Sequence, residues 1–210
     1  MPSPTSSGCI HRWEVRIISL QSLKVILNKE PLLVRELPIT NPDDPFGKPS
    51  KPEDDSTGMA VWPAAIILSR WILQLRREHP ELIQDKVVAE LGAGCSLPSI
   101  TTAVYCEPSR IYLTDIHPPA LDNAMFNLEN NGFEALPESL IEDKRESSMK
   151  SFVSQSCRAH VMSVNWADKV TFPPEEVDII LGSDLIYDSA ALDLFVSAVD
   201  QILKSGTTYR

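Results

Sequence analysis

The sequence contains no run approaching the roughly 18 uncharged apolar residues that a membrane-spanning helix needs, and its opening, MPSPTSSGCIHRWEV, lacks the apolar centre of a secretory signal. These absences argue against a membrane partner and lead us to expect a cytoplasmic chain, with the nucleus also open to it. Cysteine is scarce: Cys9, Cys95, Cys106 and Cys157 show no C-x-x-C spacing and no histidines at zinc-finger distances. Neither a disulfide framework nor a metal site is therefore expected, and the four read as reduced structural thiols. Basic residues are also in the minority, 19 Lys and Arg against 29 Asp and Glu, for a net charge of −10. That excess opposes the phosphate attraction behind nucleic-acid binding and suits a basic partner better.

What is present is an ordinary globular composition, 43% apolar and 23% charged over 210 residues, enough for one substantial core. WEVRIISL and LKVILN are short β-rich runs joined by polar residues, so residues 12–35 are expected to form small antiparallel strands. PITNPDDPFGKPSKPEDDSTG concentrates Pro, Asp, Ser and Gly without periodicity and reads as a surface loop, which divides the chain into a hairpin and loop over 1–56 and a main domain over 57–210. WPAAIILSRWILQLRREHP places Pro63 at a first helical position, repeats Ala64, Ile67, Leu68, Trp71, Ile72 and Leu75 at helical steps, and predicts a helix ending before Pro80.

KVVAEL (86–91) and RIYLTD (110–115) then read as strands, each followed by a helix. In the second helix Leu121, Ala124, Met125 and Leu128 form the packing face, with asparagines opposite. Residues 134–158 are charged and serine-rich and read as an insertion, with EDKRE as a solvated face. Strands are predicted again at HVMSVNW (160–166) and VDIILGSD (177–184), and a helix over 189–205. Strands alternating with helices predict an α/β fold, a doubly wound, mostly parallel Rossmann-like sheet with an N-terminal β-hairpin.

In such a sheet ligands bind at the carboxyl ends of the strands. The turn after the first parallel strand is Glu90-Leu91-Gly92-Ala93-Gly94-Cys95-Ser96, and its glycines permit close backbone approach. Asp115 ends the next strand about twenty residues on, where an acid commonly hydrogen-bonds ribose hydroxyls. The run lacks G-x-G-x-x-G, and Glu90 sits awkwardly beside a pyrophosphate, which disfavours a nicotinamide dinucleotide. An acid there suits a ligand bearing an ammonium group, such as S-adenosylmethionine.

TGMAVWPAAIILSRWI, ELGAGCSLPSI, YLTD, VNW and GSDLIYD occur in the order and at roughly the separations found in the seven-β-strand methyltransferases. More narrowly, the chain resembles the lysine methyltransferase branch, also called methyltransferase family 16 or nicotinamide N-methyltransferase-like, over residues about 57–205. The resemblance implies S-adenosyl-L-methionine as cofactor and a protein substrate, with a lysine in a basic segment as methyl acceptor. It implies that Glu90, Gly92 and Gly94 shape the pocket for the methionine portion, that Asp115 binds the ribose, and that Trp62 and Trp166 line the cofactor site. Ser183 would lie where cofactor meets substrate, with Asp184 and Tyr187 as the catalytic pair, Asp184 orienting the amine and Tyr187 helping to wall its channel.

Ser96 departs from the family pattern, standing where a third glycine is usual. Family members also continue through a fifth strand and an antiparallel pair, so with the sequence ending at Arg210 the family's C-terminal strands are expected to be missing, with a monomer or weak association through the open sheet edge. Arginine or a small amine stays open as the acceptor, as does a non-catalytic protein that binds cofactor or a partner. The duller readings are that Trp62, Trp166 and Tyr187 only pack and that Asp184 only caps a turn.

Overall fold

The computed structural model describes residues 14–18, 31–37, 57–137, 149–155, 157–186 and 189–203. Two strands, β1 (Glu14–Ile18) and β2 (Leu32–Glu36), form an antiparallel pair. The expected hairpin is there, but the partner of β1 is LLVRE and not LKVILN, which lies outside the described residues. β2 alternates buried Leu32, Val34 and Glu36 with half-buried Leu33 and Arg35, the period of two that seats one strand face on a core.

Helix α1 (Pro63–Glu78) starts at Pro63, whose missing N–H costs nothing in a first turn, and stops ahead of Pro80, which disfavours a helical residue before it. Its buried side is Ala65, Ser69, Ile72 and Leu73. The expected stripe is thus rotated, leaving Ile67 and Trp71 exposed. Apolar residues occur all round this helix, so periodicity alone did not single out a face. Buried Ser69 satisfies its hydroxyl by donating to the Ala65 carbonyl at 2.7 Å.

The main sheet contains β3 (Val87–Glu90), β4 (Arg110–Asp115), β5 (Glu134–Ala135), β6 (Lys150–Val153), β7 (Arg158–Ser163) and β8 (Ile179–Leu181), in the spatial order β5-β6-β7-β4-β3-β8. β7, β4, β3 and β8 run parallel, as the alternating pattern requires. The expected insertion at 134–158 instead supplies β5 and β6, which extend the sheet, β6 antiparallel to β7 and β5 antiparallel to β6. Its charged residues 142–146 lie outside the described residues.

Helices α2 (Leu97–Tyr105) and α3 (Pro118–Asn130) follow β3 and β4, and α4 (Leu192–Ile202) follows β8. Val88, Ile111, Leu113 and Val161 face a core shared with α1, α2 and α3, which also takes in Ile18, Leu32 and Val34 of the hairpin. Ala89, Tyr112 and Met162 face the other way, into a smaller core with Ala198 and Ile202 of α4. Among the described residues β8 is paired on one side only, and α4 exposes Leu192, Leu194 and Val196.

The expected packing face of α3 is there, with Ala124 and Leu128 buried and Leu121 and Met125 packed against the core, but its asparagines do not lie opposite in solvent: Asn123 and Asn127 are fully buried as well. Asn131 accepts from the Leu33 N–H at 3.0 Å and donates to its carbonyl at 2.7 Å. Asn127 accepts from the Arg35 N–H at 2.7 Å and donates to the Arg35 and Cys95 carbonyls. Asn123 also donates to the Arg35 carbonyl. Residues four apart share one helix face, so these side chains pair the free edge of β2 much as a neighbouring strand would.

Candidate functional site

The strand order reverses at β3, whose neighbours are β4 and β8, and the crevice outside the carboxyl ends of these strands is where such sheets take ligands. Four strands deliver the predicted residues there. Glu90 ends β3, Asp115 ends β4, Trp166 follows β7, and Ser183 and Asp184 follow β8. Tyr187 lies outside the described residues.

The glycine turn is left-handed at both glycines, with φ of 57° at Gly92 and 50° at Gly94. Two contacts show why a side chain is unwelcome there. A methyl group on Gly92 would lie 2.5 Å from Leu185 Cδ2, and one on Gly94 would lie 2.7 Å from the Gly58 carbonyl oxygen. Ser96 is also left-handed, at φ 61°, so the place usually held by a third glycine keeps a conformation glycine would favour.

Asp115 fixes this turn. One carboxylate oxygen accepts from the Gly94 N–H at 3.0 Å and the other from the His117 N–H at 3.0 Å. A carboxylate has about four acceptor positions, so a ribose hydroxyl remains within its capacity.

Glu90 is turned inward. It is 1% exposed and accepts from the Ser99 N–H at 2.9 Å, satisfying a first-turn donor of α2 that Ser96 leaves without a side-chain cap. Burial, reinforced by nearby Asp115 and opposed by the Ser99 hydrogen bond, pushes its carboxyl up to about 8. The folded chain therefore holds this proton more tightly than the unfolded chain. Its stabilising effect is complete below pH 4.5 and is lost as pH rises through about 8. Glu90→Gln is expected to lose less stability than wild type between pH 5 and 8.5, measured by denaturant midpoint; identical losses would contradict the assignment.

The tryptophans are placed differently. Trp166 is half-buried, packs edge-on against Phe195 of α4 at 5.2 Å, and brings its Cζ2 within 3.9 Å of the point a Gly92 methyl would occupy. Trp62 precedes α1 and donates its indole N–H to the Thr57 carbonyl at 2.9 Å, closing residues 57–62 into a short strap. Asp184 is exposed and left-handed, at φ 54°, a conformation aspartate tolerates better than most residues.

Sequence reasoning missed three contributors. Gly58 lies on the strap, where a methyl group would be 3.7 Å from Gly94 Cα and 3.9 Å from Asp115 Oδ2. Leu185 and Gly182 pack together over Gly92: a methyl on Gly182 would lie 2.7 Å from Leu185 Cδ1. All three did stand inside quoted motifs, Gly58 in TGMAVW and Gly182 and Leu185 in GSDLIYD, but nothing in their spacing showed what they touch. Among the described residues no cluster of His, Cys, Asp and Glu has the form of a metal site, and no helix is long and apolar enough to cross a membrane. Cys95, Cys106 and Cys157 are buried and not joined in disulfides.

A model of the lysine methyltransferase family matches residues 50–209. The chain is similar to the mouse protein-lysine N-methyltransferase EEF2KMT, with 26% identity across 63% of this chain and 36% of that protein. It is similar to the Xenopus laevis histone-arginine methyltransferase METTL23, with 30% identity across 62% and 45%. It is also similar to the Cryptococcus neoformans protein N-terminal and lysine N-methyltransferase EFM7, with 28% identity across 72% and 45%. The chain thus spans less than half the length of these relatives.

Proposed function

The chain belongs to the lysine methyltransferase family, and on that premise we propose that it is an S-adenosylmethionine-dependent N-methyltransferase whose acceptor is a protein lysine. The observation that carries the reading is the convergence, at the point where strand order reverses, of the left-handed Gly92–Gly94 turn, Asp115, Trp166 and the Gly182–Asp184 segment. These residues fit a nucleoside that carries a cationic amino-acid tail. Two glycines open the backbone, a carboxylate stands at the end of β4, and an indole borders the turn.

When bound, the cofactor supplies an electrophilic methyl group on a sulfonium. The residues we assign to hold it are Gly92 and Gly94 along the methionine portion, Asp115 at the ribose, Trp166 beside the base, and Trp62 with Ser183 at the rim. Glu90 contributes by shaping the turn and by lying near the ammonium end, where a cation favours its ionised form. A ligand reaching Gly92 displaces the Leu185 side chain, a flexible group at the open end of β8.

Methyl transfer to nitrogen is a direct displacement, so the chain's task is mainly to align a neutral amine. A lysine amine has an unperturbed pKa of about 10.4 and loses its proton more readily in a partly desolvated channel. We assign Asp184 to accept a hydrogen bond from this amine and orient it, and Tyr187 and Trp62 to wall its path, with a cation–π contribution before deprotonation. The acceptor is a basic protein segment, in keeping with the net charge of −10. Arginine is the second reading, favoured by the 30% identity to the frog histone-arginine enzyme.

The test is calorimetric titration of the folded chain with S-adenosylhomocysteine beside Gly92→Arg. Saturable binding that the variant loses is the expected result; no binding by the folded wild type defeats the proposal. Labelled methyl transfer to protein, followed by amino-acid analysis, then separates the acceptors. Methyl-lysine is expected, and methyl-arginine in its place selects the second reading.

A further inference from the structure

The N-terminal hairpin carries a buried acid that the reading above leaves unused. Glu36, at the end of β2, is 3% exposed. One of its oxygens pairs with Arg16 Nε at 2.6 Å, across the hairpin. The other accepts from the Val61 N–H at 2.8 Å, 25 residues along the chain. One residue further on, the Leu37 N–H donates to the Met59 carbonyl at 2.7 Å. The end of β2 therefore grips the 57–62 strap at two adjacent points.

The same strap carries Gly58 across Gly94 and Asp115 and ends in Trp62. A second path runs through α3: buried Asn127 bonds the Arg35 backbone on one side and the Cys95 carbonyl, in the glycine turn, on the other. The hairpin, remote in sequence from the cofactor motif, is thus connected to it by buried hydrogen bonds. A buried carboxylate holds such a geometry firmly, because releasing its partners leaves a charge without water or a hydrogen bond.

We propose that Glu36 is a positioning residue for the methyl-donor site, its carboxylate holding the 57–62 strap against the glycine turn so that Gly58 and Trp62 stand where the ligand is received. This rests on the methyl-donor reading of the site. It makes the hairpin part of the binding apparatus, acting through the strap and not by contact with ligand.

Three variants test it. Glu36→Ala removes the acceptor for Val61. Glu36→Gln keeps a neutral acceptor of the same shape. Asn131→Ala loosens the hairpin at Leu33, away from the strap, and controls for general destabilisation. Two quantities are read: the Kd for S-adenosylhomocysteine, and amide hydrogen exchange over 57–62 without ligand. Glu36→Ala is expected to raise Kd about tenfold or more and to speed strap exchange. Glu36→Gln should recover most of the affinity, and Asn131→Ala should leave Kd within a factor of about two at a comparable loss of Tm.

Unchanged strap exchange in Glu36→Ala overturns the positioning role whether or not the ligand binds. Equal weakening of binding by Glu36→Ala and Asn131→Ala overturns it too, since the effect would then track stability alone. Failure of the folded wild type to bind, with strap exchange still dependent on Glu36, overturns instead the methyl-donor reading and the site role drawn from it.

Discussion

Replacing Asp184 by asparagine is expected to lower methyl transfer by about two orders of magnitude or more, while the affinity for S-adenosylhomocysteine stays within a factor of about two. The choice of asparagine matters. Asp184 is held at φ 54°, and forcing an ordinary L-residue into that region costs roughly 1–2 kcal/mol. Asp184→Ala therefore combines loss of the carboxylate with backbone strain. Asparagine accepts the same conformation and nearly the same shape, and removes the charge together with one acceptor oxygen, which becomes an NH2 donor. Single-turnover rates with a lysine peptide, measured beside ligand affinity, separate alignment of the amine from cofactor binding. Turnover within threefold of wild type would remove Asp184 from the reaction. If it only capped the following turn, the asparagine would serve almost as well.

The second large effect is expected at Gly94. Gly94→Ala should abolish measurable binding of S-adenosylhomocysteine and destabilise the chain clearly more than Gly132→Ala does. Both glycines are left-handed, at φ 50° and 83°, but the new methyl group meets different surroundings. At Gly132 nothing lies within 4 Å, whereas at Gly94 the Gly58 carbonyl oxygen stands 2.7 Å away. The Gly132 variant thus reports conformational strain alone, on the order of 1–2 kcal/mol. The Gly94 variant adds a collision with backbone, which no side-chain rotation relieves. Relief requires the strap to lift from the turn, carrying Gly58 and Trp62 with it. Equal losses of stability with retained binding would show that the strap's close approach is not needed.

These two positions divide what was legible in the sequence from what was not. Alternation of KVVAEL, RIYLTD, HVMSVNW and VDIILGSD with amphipathic stretches was enough to give the parallel sheet, because buried strands and helices have different apolar periods. The glycine turn and the acid ending the next strand were legible for a related reason: they are short-range features whose backbone demands appear in residue type. The buried side of α1 was not legible, since Ile67 and Trp71 are as apolar as the residues that face inward. Nor were β5 and β6, whose charged, serine-rich surroundings carry no period, nor the asparagines of α3, polar residues buried because their amides meet a strand edge.

By itself the sequence determined the fold class, the place of the glycine turn at the end of β3, and the family to which the chain belongs. The first two follow from local backbone preference and from hydrophobic period, which each segment carries within itself, and the family from the likeness of its motifs and their order. Only the tertiary structure decided that Glu90 faces α2, that Leu185 covers Gly92, and that Glu36 reaches Val61 across 25 residues. Each of these is a contact between segments distant in the chain. A buried carboxylate takes its role from whichever donors the packed elements bring to it, and no residue type or spacing records which ones those will be.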